Sequence, residues 1–281
     1  ERLEPADHLA SHNPPMSEPG LGTIYFGDPP TVRRLRVVPW LQVGALVGLL
    51  ADRPCYGYER IDDVPDIPAK AARYAELVRS VQPAGPYVLG GWSFGGCLAH
   101  EVACLLREEG AEVESVVMID AVRPLPAPDV TPAELVRHRF ARYARHVEEV
   151  YGTRVELPWE SLSALDDEGQ IDAVLAAVAG LGISPGALRH QRTSYLDARA
   201  AERYTPRHYP GRVVFYRATD RETLTTVLDP RYLRRQDDDD LGWADACGSL
   251  EVVPVPGDHL SMVDLPHVSV IARHLSSVLD V

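Results

Sequence analysis

Residues 86–96 read Pro86-Tyr87-Val88-Leu89-Gly90-Gly91-Trp92-Ser93-Phe94-Gly95-Gly96. The run at 87–89 is apolar, as a buried strand requires, and Gly91-Trp92-Ser93-Phe94-Gly95 fits the pattern G-x-S-x-G. Beyond it, Leu98, Val102, Leu105 and Leu106 recur at helical spacing. Strand, abrupt turn and helix in that order form the setting of a nucleophile elbow. Such a turn strains the backbone at the serine, and side chains two positions to either side would collide, so glycine stands there. The turn lifts the serine hydroxyl out of the sheet and aims the first N–H groups of the new helix at whatever that hydroxyl attacks. The competing reading is a glycine-rich turn that only packs. The five letters alone are weak, and the strand–turn–helix context favours Ser93 as a nucleophile.

A chain of 281 residues suits one large domain or a core with an insertion, and 45% hydrophobic content is enough to bury a substantial core. The net charge of −13, without a cluster of Lys and Arg alternating with aromatics, argues against nucleic acid and anionic membrane as partners. The acidic run 237–240 reads as a solvated loop, with a metal site a poor second because no spaced carboxylates surround it. There is no signal peptide pattern, and the longest apolar run, 43–51, is far too short to span a bilayer. Cysteines stand at 55, 97, 104 and 247; Cys97 and Cys104, seven apart on one helical pattern, have packing spacing, and the setting expected is reducing and cytoplasmic. The first residue is Glu1, so a domain cut from a longer polypeptide is expected. No H-E-x-x-H, C-x-x-C, G-x-G-x-x-G or P-loop occurs, leaving metal, dinucleotide and nucleotide chemistry without support.

Residues 1–20 are rich in Pro, Ser, His and Asn and read as a linker. A short strand is expected at 23–26, broken by Asp28-Pro29-Pro30. The stretches 35–40 and 43–50 are apolar without a clean period and stay untyped. Residues 55–58 suit the end of a strand, and 68–81 has helical spacing through Ala71, Tyr74, Leu77, Val78 and Val81. Gly110 ends the elbow helix, and 114–119 is a near-continuous apolar run, as a parallel strand buried on both faces should be. Then the pattern changes: 124–130 is proline-rich, and 131–204 is mainly helical, as at 133–150 and 171–179. Strands resume at 212–217 and 250–254, and 268–279 is an amphipathic helix. The expected organisation is a core at 21–123 and 211–281 interrupted by a helical insertion at 124–210, with an α/β fold around a mostly parallel sheet.

A serine hydroxyl is a poor nucleophile at neutral pH and needs an adjacent base, whose tautomer must in turn be held by a third group. In α/β-hydrolases the order along the chain is Ser, then Asp or Glu, then His. Asp120 closes the strand after the elbow helix, at the edge where a parallel sheet presents its functional groups. A turn-capping role is the competing reading for it. His259 follows the strand at 250–254 through Pro256-Gly257-Asp258, which brings it to that same edge. His100 inside the elbow helix, His138 and His146 in the insertion, and His267 and His274 in the last helix do not sit just after a late strand. The expected constellation is Ser93 as nucleophile, His259 as base then acid, and Asp120 orienting His259.

With these residues in place, the chain resembles the type I thioesterase domains of polyketide and peptide synthetases. More narrowly, it is similar to the C-terminal thioesterase domain of the mycolic-acid condensing polyketide synthases of actinobacteria. The resemblance runs from about 49 to 275 through Tyr-Gly-Tyr-Glu-Arg (56–60), Gly-Pro-Tyr-Val-Leu (85–89) and Ile-Asp-Ala-Val-Arg (119–123). It continues in Asp-Asp-Glu-Gly-Gln (166–170), His-Gln-Arg-Thr-Ser-Tyr-Leu-Asp (190–197), Asp-Pro-Arg-Tyr (229–232) and Leu-Glu-Val-Val-Pro (250–254). It implies an α/β-hydrolase fold whose insertion is a lid over a long acyl groove. It also implies a long-chain β-ketoacyl substrate delivered on the phosphopantetheine of an acyl carrier protein of the same synthase, with no cofactor bound by this domain itself. The acyl-serine would pass its chain to trehalose, with water as the slower default. Tyr195, Arg199 and Tyr232 match the family and would lie along the groove, ordinary lid packing being the competing reading for the tyrosines. Position 198 is Ala where the family has Asn, which puts the polar contacts to the acceptor in doubt.

The tetrahedral oxyanion needs two N–H donors, one from Phe94 after the serine and one from the loop after an early strand. In the family that loop reads Phe-His-Pro-Ala-Gly-Gly; here, aligned on Ile24-Tyr25-Phe26, it reads Gly27-Asp28-Pro29-Pro30. Pro29 falls at the donor position and has no N–H; losing one such donor costs ~2.7–4 kcal/mol of barrier. Three accounts fit. Gly27 or Asp28 donates from an offset loop; the domain is catalytically weakened; or the stretch is frameshifted, since CGG-CGG-CTC encodes Arg33-Arg34-Leu35 in one frame and Gly-Gly plus the start of a serine codon in the next.

Overall fold

The computed structural model describes residues 23–26, 44–50, 55–58, 60, 61, 64, 66–126, 129–183, 185–220, 230–235 and 237–279. The expected linker at 1–20 and the untyped stretch 35–40 lie outside these residues. Six strands form one sheet: β1 (Thr23–Phe26), β2 (Cys55–Gly57), β3 (Tyr87–Trp92), β4 (Val113–Ile119), β5 (Tyr209–Ala218) and β6 (Cys247–Val255), in the order β2-β1-β3-β4-β5-β6. β3 through β6 run parallel; β1 is antiparallel to both β2 and β3. The expected mostly parallel α/β architecture is what forms, with an antiparallel edge.

The central strands are apolar throughout because both faces are covered, and the strand period of two divides them between two cores. Leu89, Val116, Met118, Val213 and Phe215 face α2 (Ile67–Val81) and α3 (Phe94–Glu108). Their immediate neighbours Val88, Val117, Ile119, Val214 and Tyr216 face Leu46 and Val47 on one helix and Ile271 and Leu275 on another. The first of those helices is α1 (Gly44–Leu49), a single short element within the stretch whose sequence has no clean period. Its identity comes from burial of Leu46, Val47 and Leu50 against the sheet and the last helix, a tertiary effect that local periodicity does not carry.

Local signals explain the helix ends. Asp66 caps α2 by accepting from the Ala69 N–H at 2.8 Å, with Pro68 in the first turn, so the helix begins at Ile67, one residue before the expected 68. Gly110, at φ 84°, lies just past α3 and donates to the Arg107 carbonyl at 3.0 Å. β5 and β6 are longer than the expected 212–217 and 250–254, because they continue pairing through residues without strand patterning.

Between β4 and β5 run α4 (Pro132–Tyr151), α5 (Trp159–Leu162), α6 (Asp167–Val178) and α7 (Pro185–Glu202). Thr131 and Glu134 form a capping box at the start of α4, and Gly152 closes it at φ 65°. These helices bury their apolar faces on one another, with Phe140, Val147, Leu162, Val174 and Val178 in a core of their own. Arg60, which follows β2, pairs with Asp197 of α7 at 2.6 Å, tying this unit to the sheet. Beyond the end of α7, Arg207 pairs with Glu101 of α3 at 2.7 Å, and Tyr204 donates to the same carboxylate.

β5 and β6 are joined through α8 (Pro230–Arg235) and the acidic run, and α9 (Val268–Leu279) follows β6. The acidic run is more than the solvated loop expected: the Asp240 carboxylate accepts from Gly242 N at 2.8 Å and Ala244 N at 2.6 Å, closing a turn, and Asp238 pairs with Arg235 at 3.0 Å.

His100, in the middle of α3, is fully buried, with its ring 4.8 Å from Trp243 and edge-on to Tyr209 at 5.9 Å. Burial disfavours the imidazolium and pushes its pKa down to about 4. The unfolded chain therefore binds a proton that the folded chain refuses between about pH 6.5 and 4, so this contribution is present above pH 6.5 and is lost on acidification. Chemical denaturation is expected to show stability falling by about 3 kcal/mol across that window from this group, and His100→Gln should flatten the dependence. Gly91→Ala should destabilise by more than about 3 kcal/mol, since its Cβ would lie 2.1 Å from the Gly95 carbonyl.

Candidate active site

Ser93 occupies the single step between β3 and α3, at φ 55° and ψ −124°. A non-glycine residue there is strained, and the surroundings over-determine it. The Ser93 N–H donates to the Ile119 carbonyl at 2.9 Å, and the Ser93 carbonyl accepts from Gly96 N at 3.0 Å. Besides the close approach of Gly91 to Gly95, a Cβ on Gly96 would come within 2.6 Å of the Ala121 Cβ. The glycines thus let α3 begin hard against β3 and β4. Phe94 is the first residue of α3, so its N–H is among those a helix leaves without an internal partner.

Asp120 follows β4 at φ 43° and has no exposure to solvent. Its N–H donates to the Tyr216 carbonyl at 2.8 Å. Its Oδ1 accepts from the Ala218 N–H and from Arg217 Nη1, each at 3.0 Å, and its Oδ2 lies 2.8 Å from His259 Nδ1. With Nδ1 donating to that carboxylate, His259 keeps Nε2 as its proton acceptor.

The loop after β6 is built to present this ring. Gly257 turns at φ 95°, and the Asp258 carboxylate accepts from the N–H groups of Leu260 and Ser261 and from the Ser261 hydroxyl. Trp92, the residue before Ser93, stacks on the imidazole at 4.7 Å and 25°, and its Nε1 donates to the His259 carbonyl at 3.0 Å. Ser93, Asp120 and His259 therefore stand just beyond the C-terminal ends of β3, β4 and β6, on one edge of the sheet. A hydroxyl on a strained turn, an imidazole whose Nδ1 is held by a carboxylate, and that carboxylate buried from water are the parts needed for nucleophilic acyl transfer.

Tyr195 and Arg199 lie on α7. Tyr195 donates to Gln170 Oε1 at 2.7 Å, stacks on Phe140 at 5.0 Å and carries the Arg199 guanidinium 5.0 Å over its ring, while Arg199 pairs with Glu202. Their described partners belong to the helical unit, where both line a crevice with Arg139, Tyr143 and Gln191. Tyr232 lies on α8, and its side chain, like Gly27 and Asp28, is outside the described residues. Sequence patterns carry no sign of three further contacts: Arg217 on Asp120, Trp92 on His259, and Arg60 on Asp197.

A buried trio, His100, Glu101 and Cys104, has its ligand atoms within 4.8 Å of one another. Glu101 is already neutralised by Arg207, and burial pushes the Cys104 thiol up to about 12. This set suits packing, as the seven-residue spacing of Cys97 and Cys104 implies, better than a cation. Among the described residues no helix is long and apolar enough to cross a membrane.

The model of the thioesterase domain family matches residues 53–279, and the chain belongs to that family. Its fold is that of the α/β-hydrolases. The non-reducing polyketide synthase crz7 of Cladonia metacorallifera is 45% identical over 71 residues, 24% of this chain and 3% of that protein. The malpibaldin synthetase of Mortierella alpina is 24% identical over 254 residues, 86% of this chain and 4% of that one. The chain thus spans a few per cent of the length of these curated relatives. Among solved structures, the NocB thioesterase domain in covalent complex with a fluorophosphonate nocardicin G analogue superposes with a TM-score of 0.53 at 26% identity, covering 85% of this chain and 88% of that one.

Trp92→Phe keeps a ring against His259 but leaves the His259 carbonyl without its donor. It is expected to cost about 1–2 kcal/mol in a urea titration.

Proposed function

We propose that this domain is a serine thioesterase that removes an acyl chain from a carrier protein through an acyl-serine intermediate. The observation that carries the reading is the 2.8 Å contact of His259 Nδ1 with the buried Asp120, at the same sheet edge as the strained Ser93. Ser93 Oγ attacks the thioester carbonyl while His259 Nε2 takes its proton. The carbonyl electrons move to oxygen, where the Phe94 N–H stabilises them, with Gly27 or Asp28 as the assigned second donor. The intermediate collapses, expelling the thiolate, which takes the proton from His259. An acceptor hydroxyl then attacks the acyl-serine, with His259 again moving the proton. Asp120 holds the tautomer and compensates the charge on the ring while it carries the proton.

This chemistry needs no cofactor, because the activated thioester arrives on the phosphopantetheine arm of an acyl carrier protein, placed by us in the same synthase. The relatives named for polyketide and peptide synthesis support that assignment. The segments at 166–170, 190–197 and 229–232 support the finer reading: a long β-ketoacyl chain of mycolic type, a helical lid over its groove lined by Tyr195, Arg199 and Tyr232, and trehalose as acceptor. Four free, buried cysteines suit a reducing, cytoplasmic setting. Pro29 at the donor position favours a second reading, a weakened domain that binds acyl chains without forming the ester.

Intact-mass spectrometry with a long-chain β-ketoacyl thioester mimic separates these. A Ser93-dependent adduct that drains into a trehalose ester supports the full reading, and Ser93→Ala should show none. Drainage only to free acid would remove the transferase step. Binding without any adduct would move the second reading to first place. Asp120→Asn should lower the turnover by roughly 10⁴-fold.

A further inference from the structure

We propose that the crevice inside the helical unit between β4 and β5 is a binding site for one small monovalent anion of the chloride class. Arg139, Phe140 and Tyr143 of α4 and Gln191, Tyr195 and Arg199 of α7 line it, and no acidic residue does so among the described residues. The anion is held whether or not Ser93 reacts, so the site goes beyond the acyl-serine chemistry proposed above. Tyr195 and Arg199 are also proposed there to border the acyl groove, and the anion would form part of that wall.

Two guanidinium groups reach the crevice from places nearly closed to water: the Arg139 side chain is 10% exposed and that of Arg199 is 3% exposed. On each of them the Nε–H is buried and has no hydrogen-bond partner among the described residues. A buried donor left unmet is costly, and more so when it belongs to a charged group. Gln191 supplies a further donor. Its Oε1 accepts from the Tyr143 hydroxyl at 2.7 Å, so its remaining polar atom is the amide nitrogen.

The charges around the crevice do not cancel. Arg139 bonds Glu202 at 2.8 Å and lies 3.6 Å from Asp167, Arg199 pairs with the same Glu202, and Arg203 pairs with the same Asp167. Three cations share two anions, which leaves one positive charge over. Burial pulls the Arg199 pKa below the ordinary arginine value; Glu202 opposes that pull and the neighbouring Arg139 charge adds to it. One monovalent anion completes the balance. Size selects a monatomic one, because the cavity offers about 10 Å³, space for a single water-sized body and too little for phosphate or sulfate. Water itself fits, but it is neutral and leaves the charge unmet.

The test is a titration of the whole domain with sodium chloride, read by the chloride NMR line width. Sodium gluconate, whose anion is too large for the cavity, keeps the ionic strength constant. The wild type should show an excess line width that saturates. Arg199→Gln removes one charged donor and should weaken the chloride affinity by about tenfold or more. Gln191→Glu keeps the side-chain shape at a half-buried position and supplies an anion of its own, so the saturable signal should vanish while the fold stays intact. Arg203→Gln alters an exposed charge outside the crevice and should leave the affinity within about twofold. A line width that never saturates in the wild type would overturn the proposal, leaving the cavity to water. So would an unchanged affinity in a folded Arg199→Gln or Gln191→Glu variant, or an equal loss in Arg203→Gln, which would mark general attraction to the surface. If Arg199→Gln does not fold, Gln191→Glu decides alone.

Discussion

A carboxylate without access to water is the constraint to which the other parts of the site conform. Burying the Asp120 charge costs several kcal/mol unless it is fully met by donors. The donors come from three places in the chain: the imidazole after β6, a guanidinium on β5 and a backbone N–H at the end of β5. Each charge-assisted bond contributes about 1.5–3 kcal/mol, so the set roughly offsets the burial only when all are made. The Asp120 N–H is meanwhile bonded to Tyr216 and the Ser93 N–H to Ile119. The ends of β3, β4 and β5 and the loop after β6 are therefore fixed by one another, and the register of the parallel strands becomes the register of the site.

The same edge depends on how close α3 comes to the sheet. Gly91, Gly95 and Gly96 leave no room for a single Cβ at 91 or 96, and Ser93 accepts a left-handed backbone that glycine would adopt more readily. Strain at that one residue is held by a core on each side of the sheet. Parallel strands leave their loops on a common edge, so residues 27, 139 and 166 positions apart along the chain converge there.

Much of this is legible in the amino-acid sequence where the physics is local. The glycine pattern around Ser93, the uninterrupted apolar runs of β3 and β4, and the cap residues Asp66 and Thr131 each carry their own explanation. So does the placement of Asp120 and His259 just after strands. What escapes is non-local. Residues 44–49 form a helix because α9 and the sheet wait for Leu46 and Val47 on one side of it, and nothing within 43–50 encodes that. Arg217 is one of many arginines until Asp120, 97 positions earlier, is folded against it. Arg60 and Asp197 are separated by 137 positions, and each alone is an ordinary charged residue. Tyr195 and Arg199 have a tight packing environment among the helices that their sequence pattern does not distinguish from a groove wall. Gly27 and Asp28 lie outside the described residues.

The helical unit between β4 and β5 keeps an apolar interior separate from the two that flank the sheet. Val174 and Phe140 pack within that interior, and the helical unit meets the sheet-side core through Ala200 and Ala201 of α7 and Tyr204 just after it. Variation therefore meets unequal constraints along this chain. The helices between β4 and β5 can change or lengthen most readily where Asp197, Tyr204 and Arg207 still find Arg60 and Glu101 and where Ala200 and Ala201 still pack on the sheet side. The sheet edge is locked by contacts of a few ångströms around one carboxylate. Diversification within such a lineage is expected to accumulate between residues 131 and 204, with the sheet edge as the invariant grammar beneath it.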